Sequence, residues 1–113
     1  MGRTALFALA AFLGLLALGL AVQVPLIYTE GVEALRAAES DSGVMRLVEV
    51  KVGPLLRQGK SIPVVVYLDP ASPPSARVYV VEWLNPDSLY FTALVKVKVR
   101  AVNRTYEVLS VEA

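Results

Sequence analysis

The chain contains no cysteine and no histidine. The first absence excludes disulfides, thiolate metal sites and cysteine nucleophiles. The second removes the commonest general base and the commonest protein ligand of zinc, copper and iron. Charge is also sparse: the net formal charge is only +1, too small to imply a nucleic-acid partner. There is no glycine-rich phosphate loop. Asp69, Glu82, Asp87 and Glu107 fall on different expected elements, so nothing pairs them as acid and base or as a metal site. Ser61 beside Lys60 reads as a turn dipeptide and not as a nucleophile with its base. These absences lead to the expectation of a non-enzymatic protein with no catalytic residues, no cofactor and no metal.

What the chain does have is an uncharged stretch over residues 4–29. At helical rise its most apolar part, residues 5–22, is about 27 Å long, close to the hydrocarbon thickness of a bilayer. Arg3 is the only charged side chain ahead of it, which puts the amino terminus on the cytoplasmic side and the rest of the chain outside. The stretch is read as a retained membrane segment. The alternative is a signal peptide cut at Gly19-Leu20-Ala21, before Val22. Pro25 would bend a helix that continues past it.

Residues 28–42 read as an amphipathic helix, with Ile27, Gly31, Leu35 and Ala38 near one face and Glu30, Glu33, Ala37 and Ser40 on the other. Asp41-Ser42-Gly43 supplies a stop, Gly43 taking the left-handed conformation. From Val44 the apolar period changes to two. Five strands are expected: one over 46–52, one over 62–68 that is apolar on both faces, then 77–84, 90–101 and 106–112. A strand apolar on both faces is either central in a sheet or covered by a partner. Asn85-Pro86-Asp87-Ser88 marks a turn, and Asn103-Arg104 closes a short hairpin. The fold class is therefore α+β: a long apolar amino-terminal helix (domain 1–43) followed by a small antiparallel β-sandwich or barrel of about five strands (domain 44–113).

Three surface features carry a functional reading beside a structural one. Lys96, Lys98 and Arg100 alternate along one strand and read as a solvated face guarding an edge strand, with anion binding as the sharper alternative. The acidic residues of 30–41 in one subunit could also lie against this basic row in another. Tyr67, Tyr79, Trp83, Tyr90, Phe91 and Tyr106 read as core and cross-strand packing, the alternative being a stacking platform. Asn103-Arg104-Thr105 is a glycosylation sequon at an expected turn.

An apolar amino-terminal helix, a bend at Pro25, an amphipathic continuation over 28–42 and a Val-rich β domain together resemble an archaeal type IV pilin. The resemblance implies a structural subunit of a cell-surface or extracellular filament, a homopolymer whose apolar helices bundle into the core. It implies that the membrane is the partner before assembly, with a single pass and a cytoplasmic amino terminus. The assembly surface would then comprise Leu6, Phe7, Leu9, Phe12, Leu13, Leu15, Leu16 and Leu18, with the helix bending at Pro25 and a glycan on Asn103. Two other readings stay open. One is a secreted module cut after Ala21 whose residues 22–28 add as a strand to a neighbour. The other is a single-pass accessory subunit of a membrane complex.

Overall fold

The run from Val44 to Val52 satisfies two periods at once. Alternation puts Val48, Val50 and Val52 on one side of a strand, while a spacing of four puts Val44, Val48 and Val52 on one face of a helix. The structure, a computed structural model describing residues 29–113, takes the second arrangement. Residues 29–40 are helical (α1), Asp41 interrupts, and a second helix, α2, spans Ser42–Lys51. Val44, Val48 and Val52 are buried, whereas Val50 is 61% exposed. Asp41 is not a stop but the N-cap of α2: its carboxylate accepts a 3.0 Å hydrogen bond from the Val44 N–H, satisfying one of the donors a helix start leaves open. Gly43 accordingly lies inside α2, and the left-handed glycine is Gly59, at φ +81, after the short helix α3 (Gly53–Arg57). Pro54 sits in the first turn of α3, where its missing N–H costs nothing.

Four strands follow: β1 (Val64–Leu68), β2 (Arg77–Leu84), β3 (Ala93–Val102) and β4 (Thr105–Glu112). They form one antiparallel sheet in sequence order, β1-β2-β3-β4. Val64, Val66 and Leu68 share a face with Tyr79, Val81 and Trp83, then with Val95, Val97, Val99 and Ala101, and at the far edge with Tyr106, Val108 and Val111. This face packs against Ala34 and Ala38 of α1 and Val44 and Val48 of α2 to form the core. The small residues of α1 let its backbone lie close to the sheet: a Cβ built on Gly31 would stand 3.7 Å from Val66 Cγ1.

This architecture corrects the expected fold class. The described residues hold a single four-stranded sheet covered on one side by helices, not a five-stranded sandwich or barrel. The expected first strand, over 46–52, became α2. A second sheet is not needed, because the face opposite the helices carries Glu82, Lys96, Lys98, Arg100, Glu107 and Glu112, charged side chains that suit a face left to solvent. The expected long apolar helix is also absent from the described residues, among which no helix is long and apolar enough to cross a membrane. Its apolar stretch, with Leu6, Phe7, Leu9, Phe12, Leu13, Leu15, Leu16, Leu18 and Pro25, lies outside them.

Candidate functional site at the junction of helix and sheet

Glu30, Ala34 and Ala38 are spaced four apart and so fall on one face of α1. Ala34 and Ala38 are fully buried, and Glu30 is drawn onto the sheet with them. It meets Arg77 and Tyr79 of β2. The Arg77 guanidinium donates through Nε to Glu30 Oε1 at 2.6 Å and through Nη2 to Oε2 at 2.9 Å, a two-pronged pairing of planar groups. The Tyr79 hydroxyl donates to the same Oε1 at 2.6 Å. Arg77 Nη1 turns the other way and donates to the Pro74 carbonyl at 2.9 Å, tying the β1–β2 loop into the cluster. The Glu30 and Arg77 side chains are 13% and 25% exposed, so the pair is shielded from most of the screening that weakens surface ion pairs.

The electrostatics follow from this geometry. Hydrogen bonding from Arg77 holds the Glu30 carboxyl below its ordinary value of 4.5, against the opposing effect of burial. The guanidinium of Arg77 is held more firmly protonated by the same carboxylate. Burial, reinforced by the Glu30 carboxylate, pushes the Tyr79 phenol well above its ordinary value of 10. Tyr106, across the sheet on β4, is raised by burial and by the negative charges of Glu30 and Glu33. A carboxylate already holding three donors is poorly disposed to take a proton from a substrate. What the cluster does is fix the start of the described helix to the sheet.

No known protein family, characterised protein or solved structure matches this chain.

The other sequence-derived candidates are distributed as follows. β3 is a central strand, so Lys96, Lys98 and Arg100 do not guard an edge. Lys96 stands between Glu82 and Glu112, Lys98 between Val80 and Ser110, and Arg100 between Val78 and Glu107, to which it bonds at 2.6 Å. The basic row is thus interleaved with acidic partners on the neighbouring strands. An open hollow of about 240 Å³ beside it is lined by Ala76, Arg100, Val102, Thr105 and Glu107. An anion entering there would compete with Glu107 for Arg100.

The aromatic residues divide. Tyr79 and Trp83 are core and Tyr106 packs at its margin, whereas Tyr67, Tyr90 and Phe91 are exposed. Asn103 and Arg104 form the two-residue β3–β4 turn, both with positive φ (49 and 61), as the tight hairpin linking Val102 to Thr105 requires. The Asn103 side chain is therefore displayed on an exposed tip, sterically open to a modifying enzyme. No group of three or more Asp and Glu side chains among the described residues could hold a metal ion.

Sequence reasoning missed the cluster because it placed Glu30 on the solvent face. The signal was present in the small residues Ala34 and Ala38, four and eight positions on. A carboxylate in register with such a seam is carried onto the sheet, where Arg77 opens a strand.

Proposed function

We propose that this chain is a non-enzymatic structural subunit, inserted in a membrane through its apolar amino-terminal stretch and then assembled through that stretch into an extracellular, pilus-like filament. The observation that supports this reading is the Glu30–Arg77–Tyr79 cluster. It lies where the described chain begins, directly after the apolar stretch, and it locks the helix leaving that stretch to β2 of the sheet. A domain that only binds a soluble ligand has no need of a rigid link to its anchor. A subunit whose sheet must take one fixed pose on a filament axis does. On this reading the β domain forms the filament wall, and the membrane is the partner before assembly.

The main driving force would be burial of the side chains of Leu6, Phe7, Leu9, Phe12, Leu13, Leu15, Leu16 and Leu18 between subunits. At about 25 cal/mol per Å² this outweighs the polar contacts of the domain. Replacing Leu15 and Leu16 together by glutamate is expected to abolish filaments seen by electron microscopy and sedimentation, while the sheet domain stays folded by circular dichroism. Normal filaments from that variant would overturn the reading. Finding Val22 as the amino-terminal residue of the protein recovered from cells would favour the secreted module instead.

A further inference from the structure

Ile62 to Leu68 contains no charged residue and is apolar on both faces, yet β1 is an edge strand of the sheet formed by the described residues. Val64, Val65 and Tyr67 are 41%, 37% and 42% exposed. The backbone is as open as the side chains. Leu84 N–H donates to the Pro63 carbonyl and Asp69 N–H to the Val78 carbonyl. In an antiparallel ladder of this register, Val65 and Tyr67 therefore direct their backbone groups at β2, and Val64, Val66 and Leu68 direct theirs away from the sheet. The register carries no bulge, and no proline interrupts the strand itself. Among the described residues no charged side chain, bulge or covering helix protects this edge, whose only guards are its shortness and Pro63 just ahead of it.

The opposite edge is β4. Its tight turn pairs Val102 with Thr105, so Arg100 and Glu107 exchange hydrogen bonds inside the sheet, and the backbone groups of Tyr106 and Val108 point outward. The outward-pointing residues of both edges thus belong to the helix-covered face, and all of them are apolar: Val64, Val66 and Leu68 on one side, Tyr106 and Val108 on the other.

We infer that β1 of one copy of this chain pairs antiparallel with β4 of a second copy, Val66 opposite Val108 and Leu68 opposite Tyr106, so that the sheet continues from subunit to subunit. Strand direction selects this partner. With four strands in sequence order, β1 and β4 run in opposite directions, so copies standing side by side in one orientation present edges that can pair antiparallel over residues 66–68 and 106–108, up to the irregularity of β4 at Leu109. Pairing β1 with β1 would instead require a twofold axis normal to the sheet, which reverses the strand direction of one copy relative to the other. Copies so related do not stand in one orientation and cannot continue the sheet beyond two subunits through that edge. The common orientation rests on the function proposed above; the free edges and their matched faces do not.

The native chain has no cysteine, which makes cross-linking specific. In the inferred register Tyr67 faces Glu107 of the next copy on the open side of the sheet, a non-hydrogen-bonded pair with Cα atoms about 4.5 Å apart. Within one copy the two residues lie three strand spacings apart, about 14 Å, beyond the reach of a disulfide. The full-length double variant Tyr67→Cys/Glu107→Cys, oxidised in membranes, is expected to give a ladder of multimers on a non-reducing gel. A mixture of the two single variants should give a dimer, and neither single variant alone should cross-link.

Adding Val66→Pro removes an outward N–H that has no partner among the described residues. It is expected to cut the ladder about tenfold, the worth of one backbone hydrogen bond, without loss of circular dichroism. Absence of the ladder overturns the inference, as does a dimer from Tyr67→Cys alone, which would reveal β1–β1 pairing. Filaments formed without the ladder would leave the role of the apolar stretch standing and remove only the edge pairing. A ladder from a chain that makes no filament would do the reverse.

Discussion

Glu30 joins α1 to the sheet through three side-chain hydrogen bonds. Its carboxylate is shared by Arg77 and Tyr79, and removing it strands a guanidinium and a phenol that are both largely shielded from water. Glu30→Gln keeps the shape and loses the charge. It is expected to lower stability to urea at neutral pH by about 2 kcal/mol, the scale of a hydrogen bond to a charged group. The pH dependence has a definite sign. The folded-state value of Glu30 is depressed, so the stability it contributes is fully present above its ordinary value of 4.5 and is lost as pH falls from there through the depressed value. Urea midpoints measured downward from neutral pH should therefore fall more steeply for the parent chain than for Glu30→Gln, and the two should converge in acid. Parallel curves would show that the carboxylate contributes nothing.

The decisive elements are α2, misread from local pattern, and β1, whose pattern left open whether it was central or covered by a partner. In α2 the valines fit both a strand and a helix, and what selects the helix is the sheet beneath it, which already fills its own strand positions and offers a surface to Val44 and Val48. The Asp41 cap reinforces the choice. Asp41→Ala is expected to cost about 1 kcal/mol, read as a lower thermal midpoint with no change in the sheet signal. In β1 the two-sided apolarity that suggests a central strand belongs to an edge, because the four strands meander in order and the helices cover one face only. With the central position excluded, the alternative of a strand covered by a partner is the one that points to a neighbouring copy.

For the whole molecule, an even number of strands in a simple meander leaves two edges of opposite direction, and the helix-to-sheet lock holds those edges at a set angle to α1. The two proposed contacts, apolar stretch and sheet edge, then act in the same assembly. A partner that binds only the folded state stabilises it by mass action. The thermal midpoint of the detergent-solubilised full chain should accordingly rise with protein concentration, and Val66→Pro should flatten that dependence. A midpoint independent of concentration in the parent chain would count against both contacts.

Local chemistry was enough to read the strands at 77–84 and 106–112 and the hairpin at Asn103-Arg104, because alternation and turn residues act over a few positions whatever surrounds them. The helical character of 29–40 was legible for the same reason. Tertiary structure alone decided that residues 44–52 are helical, that Glu30 faces inward and that β1 lies at an edge. Each depends on which surface is presented from far along the chain, and a sequence period records only that a face is apolar, not what covers it.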